Sequence, residues 1–367
     1  MWGGARGLIF EPLASLPVPD SLAPYDFDLP DGLIAQRPAE RRDASRMLVL
    51  HRDTGAVEDR QFADLGEFLD PGDALVFNDT RVVPARLVGR RQTGGRAELF
   101  LVERGEDGAW SALAKPGRKL TAGADVLFDD HLGARVEAVE ESGRRRVRLL
   151  RDGRPFETAE AEEAAIEAIG RMPLPPYVDR EADAADRERY QTVFARKRGA
   201  IAAPTAGLHF TPGTVEALRE NGVVTAEVTL HVGYGTFEPV RADDLRDHRV
   251  APERIEVPAA TADALNGVRA AGGRVVAVGT TSTRALETSA DDAGRFHPVA
   301  GPTDLTVTPG YRFRAVDALL TNFHLPKSSL LVLTATFGGL GPVMAAYRHA
   351  VCEGYRFYSY GDCMLIV

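Results

Sequence analysis

Cysteine is nearly missing from this chain. Cys352 and Cys363 are the only two among 367 residues, too few for a disulfide framework, and neither has the paired spacing of a metal site. Cys363 opens the apolar run Cys-Met-Leu-Ile-Val, where a small buried hydrophobe is the expected role. Such usage fits a reducing, cytoplasmic setting. No stretch approaches the roughly 18–20 consecutive apolar residues of a membrane span, so no membrane partner is expected. Residues 1–20 lack the layout of a signal peptide and read as a disordered leader, or as a start placed too far upstream. Lysine is scarce as well: Lys115, Lys119, Lys197 and Lys327 are four of the 44 basic residues, and the rest are arginine.

The formal net charge of −9 argues against a general polyanion binder, because phosphate affinity needs local positive charge. The average hides clusters, however. Acidic residues gather at 157–167 and 179–188, and arginines at 37–52, 81–96 and 144–154. Arginine's planar fork suits phosphate, although the same bias also fits genomic composition. The charge pattern permits RNA contact without requiring it.

With 44% hydrophobic and 26% charged residues, the chain can build a full core, and its length favours two domains. The second half alternates strand and helix signals. Thr211-Pro212 is an N-cap followed by proline at the first helical position, with Gly222 as the stop. Val223–Val232 reads as a strand, Thr261–Ala271 as a helix, Val275–Val278 as a buried strand and Val316–Phe323 as another. Pro342–Glu353 reads as a helix and Tyr355–Val367 as a terminal strand. Between about Thr80 and Arg151 the signals change to short β-rich runs separated by glycine turns, the spacing of a small barrel. The expected fold class is α/β: a domain with a largely parallel sheet over 21–78 and 154–367, and a small all-β, barrel-like domain inserted at 79–153.

Five strings could carry chemistry. Ala203-Pro204-Thr205-Ala206-Gly207-Leu208-His209-Phe210-Thr211 places small residues before a helix, where free amides can meet an anion; the alternative is a tight loop with a satisfied histidine. Thr229 to Glu238 includes His231 and the Gly233-Tyr234-Gly235-Thr236-Phe237 turn, open either to close ligand approach or to a plain strand end. Val278-Gly279-Thr280-Thr281-Ser282-Thr283-Arg284 reads as a strand, a hydroxyl-rich turn and a helix. It suits a carboxylate, ribose or phosphate, or a simple cap. Thr321-Asn322-Phe323-His324-Leu325-Pro326-Lys327-Ser328-Ser329 breaks an apolar strand where a parallel sheet would open its crevice. Tyr358-Ser359-Tyr360-Gly361-Asp362 offers aromatic faces for a cation or a base, or for core packing. Most of these fall at predicted strand ends, where an α/β sheet places ligands.

In this order, the five strings resemble those of the S-adenosylmethionine:tRNA ribosyltransferase-isomerase family of queuosine biosynthesis. The resemblance continues upstream through Tyr25–Pro30, Ile34-Ala35-Gln36, Gly72-Asp73, Val76–Val82 and Met172–Tyr177, so it spans the chain from about Tyr25 onward. It implies an α/β domain with an inserted β-barrel and no metal or redox cofactor. The reaction it implies transfers and isomerises the ribosyl part of S-adenosylmethionine onto 7-aminomethyl-7-deazaguanine at the tRNA wobble position. The product is epoxyqueuosine, and adenine and methionine are released. The implied partners are that tRNA and S-adenosylmethionine as co-substrate, with the enzyme a monomer needing no protein partner. The sequence departs from the family at two points. Ala251 stands where the family commonly has the second histidine of Asp-His-x-Met-His-x-Glu, and Asp79 replaces the second residue of Asn-Asn-Thr-Arg.

For acid–base work the candidates are His209, His231 and His324, with Glu238 and Asp362 behind them. Substrate-binding candidates are Thr205, Ala206, Gly207, Phe210, Gly233, Gly235, Thr236, Phe237, Gly279, Thr280, Thr281, Ser282, Arg284, Asn322, Ser328 and Ser359. For RNA they are Arg42, Arg46, Asn78, Thr80, Arg81, Arg86, Lys115 and Arg118. The competing readings are an S-adenosylmethionine-dependent RNA methyltransferase and a non-catalytic RNA-binding protein. The first lacks its Gly-x-Gly-x-Gly-type loop here, and the second leaves the histidine-bearing strings without a purpose.

Overall fold

Four runs rich in Ala, Val and Leu build the middle of the structure, a computed structural model that describes residues 21–237, 240, 242 and 244–367. The expected leader and Glu238 lie outside the described residues. Val224–Leu230, Ala74–Asn78, Val275–Val278 and Ala318–Asn322 lie side by side in that order, all parallel. The last three are buried at every position, as parallel strands covered on both faces must be. Successive side chains drop into different cores. Val76, Ala277 and Leu319 join one face, while Leu75, Phe77, Val276 and Leu320 join the other.

The sheet widens to nine strands. Glu253–Val257 and Val299–Thr303 add antiparallel at one side. On the other side Cys363–Ile366 runs antiparallel to Ala318–Asn322, followed by Arg46–Leu50 and Val57–Gln61. The sheet is therefore mixed, and the expected parallel character belongs to its centre. Helices Pro212–Glu220, Ala259–Ala270, Gly279–Ser289, Ser329–Gly338 and Leu340–Cys352 connect and cover these strands. Thr211 caps the first as expected, its Oγ1 accepting from Thr214 N at 3.1 Å. The last two helices meet at a bend of 117°, and among the described residues no single helix is long and apolar enough to cross a membrane.

The expected terminal strand is shorter than its sequence implies. Only Cys363–Ile366 pairs as a strand. Ahead of it the Asp362 carboxylate accepts from Arg356 N at 2.8 Å and Arg46 N at 3.0 Å, and Tyr358 takes φ +73°. These local bonds fold 356–362 into a turn that overrides the β preference of its aromatic residues.

Between Asn78 and the rest of the α/β domain, the chain makes a closed antiparallel barrel. Its six strands are Arg86–Arg91, Arg96–Arg104, Trp110–Lys115, Asp125–Leu127, Leu132–Val139 and Arg145–Arg151, the last pairing back to Leu132–Val139. Leu87, Leu99, Leu101, Val126, Val136 and Val147 fill the interior, and closure leaves no free edge among these strands.

Two crossings join barrel and sheet. Thr80–Val82 pairs in parallel with Lys197–Ala200, and Arg86 bridges Arg171 just beyond helix Ala159–Ile169. Gly170 makes the second crossing possible, because a Cβ there would sit 1.9 Å from the Pro84 carbonyl oxygen and 2.5 Å from that of Ile166. Both obstacles are backbone and cannot swing aside. Gly170→Ala is therefore expected to lower unfolding stability by about 1–3 kcal/mol, the usual cost of overpacking. Urea denaturation checks this, and an unchanged midpoint would mean the crossing is not tightly packed.

Candidate functional site

Because the four central strands point the same way, their carboxyl ends share one edge of the sheet. The chain goes from Ala74–Asn78 to Val224–Leu230 on one side and later to Val275–Val278 on the other. Connections that leave in opposite directions open a crevice at that point. A cavity of about 630 Å³ lies there, within the range of small-molecule sites. Its walls come from three strings, Ala202–Ala206, Gly279–Thr281 and Thr321–Ser328, together with Tyr177, Tyr190, Tyr358 and Ser359. Of the substrate-binding candidates, Thr205, Ala206, Gly279, Thr280, Thr281, Asn322, Ser328 and Ser359 line it, as does His324 among the catalytic candidates.

The third string folds differently from its expectation. Helix Gly279–Ser289 begins at once, with no turn before it, because Gly279 at φ +88° permits the abrupt change of direction. The hydroxyl residues thus occupy its first turn. Ser282 Oγ bonds back to Val278 O at 2.8 Å and Thr283 Oγ1 to Gly279 O at 3.1 Å, away from the cavity. Thr280 and Thr281 face the cavity, and Thr281 Oγ1 is enclosed without a partner.

Asn322 ends the neighbouring strand. Its Nδ2 lies 3.1 Å from Tyr358 O, 3.4 Å from Asp362 O and 3.2 Å from His209 Nε2. His209 does not line the large cavity; it stands behind Asn322. Its Nδ1 is 2.8 Å from Ser45 Oγ, which in turn donates to Arg42 O at 3.2 Å. Since Ser45 gives its proton to that carbonyl, His209 Nδ1 must carry hydrogen and Nε2 must accept from Asn322. Burial, with Arg356 and Arg42 nearby, pushes His209 down to about 4, so the imidazole is neutral at pH 7.

His324 is the histidine of the cavity wall. Its Nε2 meets Thr321 Oγ1 at 2.9 Å, and burial lowers its pKa to about 3. His231 lies at the crossing into the barrel, with Nδ1 2.7 Å from Thr80 Oγ1 and its ring against Gly199, where a Cβ would come within 2.7 Å. Asp362 holds the 356–362 turn described above, and burial raises its pKa. Arg284 ion-pairs with Glu253 and donates to Leu305 O at 2.9 Å, beside a separate cavity of about 40 Å³ that Gly235 and Ala251 also line. Gly233 N bonds Glu253 Oε1 at 2.7 Å. Gly207 packs on Thr192, and Phe210 sits in the core edge-to-face with Phe62 and Phe77. Thr236 and Phe237 belong to a short 3-10 turn at Tyr234–Phe237.

The RNA candidates separate into two groups. Asn78 is buried, its amide tying Leu230 and Thr80 backbones at 2.9–3.1 Å, and Thr80 is occupied by His231. Arg42 donates to the Leu208 and Glu188 carbonyls, Arg46 lies over the Tyr355 ring, Arg81 faces Glu167 and Arg86 forks onto Glu98. Lys115 and Arg118 are exposed on the barrel and have no ion pair among the described residues.

Sequence reasoning missed Tyr177, Tyr190 and Thr321 as lining residues. Tyr177 and Tyr358 form a tilted pair, with centroids 3.8 Å apart, and the Tyr177 hydroxyl meets that of Ser359. The signal available was Tyr177 closing the Met172–Tyr177 string. Among the described residues no group of three His, Cys, Asp or Glu side chains is placed to hold a metal.

The two neutral histidines carry a pH signature. In the unfolded chain each takes a proton near pH 6.5, whereas in the folded protein protonation waits until about 4 for His209 and about 3 for His324. Stability is complete above the unfolded value and is lost as pH falls through the folded ones. Each histidine should add about 1.4 kcal/mol per pH unit to that loss. His209→Gln is expected to remove one such increment from urea-derived stability measured between about pH 6 and 4.5. An unaltered slope would show that this ring titrates freely.

Comparison with known proteins supplies the family. The family model described as "Queuosine biosynthesis protein" matches residues 22–366. An S-adenosylmethionine:tRNA ribosyltransferase-isomerase from Anaeromyxobacter dehalogenans (strain 2CP-C) is 54% identical over 349 residues, 94% of this chain and 99% of that protein. One from Trichlorobacter lovleyi is 49% identical over 343 residues, 94% of this chain and 98% of that protein. The crystal structure of an S-adenosylmethionine tRNA ribosyltransferase from Thermotoga maritima superposes with a TM-score of 0.54 at 38% identity. That match covers 94% of this chain and all of that one. With near-complete coverage at half identity, and a solved structure that shares its architecture, this chain belongs to the queuosine biosynthesis protein family.

Proposed function

We propose that this protein is an S-adenosylmethionine:tRNA ribosyltransferase-isomerase of the cytoplasm. On this reading it moves the ribosyl group onto 7-aminomethyl-7-deazaguanine at the wobble position, forms epoxyqueuosine, releases adenine and methionine, and uses no cofactor beyond its co-substrate. The observation that carries it is the large cavity at the strand ends, lined by hydroxyls, an amide, an imidazole and tyrosine rings. Lys327 is the one charged lining residue among those described, and it is held 2.5 Å from Asp26.

A lining without a carboxylate among its described residues suits a sulfonium reaction. The positive sulfur acidifies the hydrogens on the adjoining ribose carbon, and a neighbouring anion would weaken that effect. Tyrosine faces accept the cation without neutralising it. A base removes one hydrogen, the carbanion expels adenine as the ribose opens, and the amine of the deazaguanine attacks. Loss of methionine then closes the epoxide. His324, the imidazole of the cavity wall and neutral at pH 7, is the proposed proton acceptor, though burial that lowers it to about 3 makes it a weak base. His209, His231 and Asp362 serve as struts, and Glu238 remains a candidate outside the described residues.

Purified protein, S-adenosylmethionine and tRNA carrying the deazaguanine test the reading. Adenine and methionine are expected together, with mass added to the tRNA. S-adenosylhomocysteine as the product would instead establish a methyltransferase, and tRNA binding without turnover a passive binder. His324→Gln should reduce kcat about 100- to 10,000-fold, the ordinary contribution of acid–base catalysis.

Of the RNA candidates, Lys115 and Arg118 on the barrel are the exposed cations without an ion pair among the described residues, and they are proposed here as phosphate contacts. Charge reversal of both should weaken tRNA binding and reduce the slope of log affinity against log salt by about 1–2. An unchanged slope would remove the barrel loop from the interface. Arg86→Glu is no substitute for this test, because it places like charges beside Glu98 and reports on the barrel instead.

A further inference from the structure

Two neighbouring strand ends place complementary, enclosed polar atoms in the cavity wall. On one, the helix Gly279–Ser289 starts with no side-chain cap from Val278, and its first-turn amides have no carbonyl one turn back to bond. The partial positive charge of that end faces the lining at Thr280 and Thr281. Thr281 Oγ1 is enclosed there and unpartnered. On the other strand, two residues beyond the Val278–Leu320 pairing, stands Asn322 with 2% of its surface exposed.

The Asn322 amide has only one chemically sensible orientation. Its nitrogen faces the carbonyl oxygens of Tyr358 and Asp362, which can only accept, and the accepting nitrogen of His209. Turning the amide over would set oxygen against oxygen. Its Oδ1 is therefore the free end, and it has no partner. A buried acceptor left unpaired is unfavourable, and a ligand donor would relieve that cost.

One acceptor beside several donors matches the zwitterion of an amino acid. We propose that this corner holds the α-amino-carboxylate end of the sulfonium nucleoside. The carboxylate accepts from the helix amides and the Thr281 hydroxyl, and the ammonium donates to Asn322 Oδ1. His209 and Ser45 act as positioning residues that set the amide from behind. The corner grips a zwitterion with dipoles alone, which suits a group released as a free amino acid after the chemistry. The proposal rests on the reading that the cavity takes S-adenosylmethionine.

Calorimetric titration with two probes separates the possibilities: S-adenosylmethionine, and 5′-methylthioadenosine, which lacks the amino-acid tail. Wild type is expected to bind both. Thr281→Val should weaken S-adenosylmethionine about 10-fold and leave methylthioadenosine unchanged, while Thr281→Ser should retain wild-type affinity. Asn322→Ala should show the same selectivity; if it loses both probes through misfolding, the Thr281 pair decides alone. Equal losses on both probes at Thr281→Val, or no loss on either, would overturn the placement while leaving the proposed activity standing. Wild type that binds neither probe would overturn the activity and this placement together.

Discussion

A strand buried on both faces has room for polar side chains only where it ends, since any earlier one would need a partner inside the core. Ala74–Asn78, Val275–Val278 and Ala318–Asn322 all obey this, and because they are parallel their endings coincide. Asn78, the Gly279 helix start and Thr321-Asn322 are thereby gathered at one edge without any of them being specified as a site. The cavity is a consequence of that alignment. Asn78 is spent on holding it: its amide bonds both the next strand's last carbonyl and its own turn, which keeps the Val224–Leu230 and Ala74–Asn78 ends level. Asn322, in the equivalent place, keeps one oxygen free. The same residue type at two strand ends is closed in one case and open in the other, and the difference lies in how many backbone groups surround it.

The buried histidines follow the same economy. His209 could have been the catalytic base by motif alone, yet its two nitrogens are committed to Ser45 and Asn322 and its ring packs on Phe62 at 5.4 Å. His231 is committed to Thr80 at the barrel crossing. Each is kept neutral by burial, so each can bond through both a donor and an acceptor nitrogen. A neutral imidazole is a rigid, two-ended spacer, and here it transmits position from the outer loop at Arg42–Ser45 to the cavity amide.

Much of the fold was legible because its signals are local. Thr211-Pro212, the apolar run at Val275 and the glycine-punctuated β segments each declare an element within a few residues. The terminal strand failed for the opposite reason: Tyr355–Asp362 has strand-forming aromatics, but the decisive bonds run from Asp362 back to Arg356 and across to Arg46. At the site, strand-end strings pointed to the edge where the cavity lies, yet could not say which histidine faces inward. That depends on which strands become neighbours, and His209 and Asn322 meet across 113 positions. Tyr177 and Tyr358 are farther apart still. Arg86 looked like a free cation for the same reason, since Glu98 becomes its partner only through the barrel register.

The two substrates of the proposed reaction ask for opposite electrostatics, and the architecture separates them. On the proposed reading a neighbouring carboxylate would quench the sulfonium, and the described lining of the cavity is dominated by dipoles and rings. A tRNA backbone instead needs unpaired cations in solvent, where long-range attraction is useful and salt-sensitive. With Lys115 and Arg118 as the proposed phosphate contacts, those cations sit in the inserted barrel and off the cavity wall. This placement also reconciles the proposed RNA binding with a net charge of −9: most arginines are already held by carboxylates within the protein, and those left unpaired shape the field that a phosphate meets. On this argument the sum of charges carries little information about the partner, and the pairing of individual arginines carries most of it.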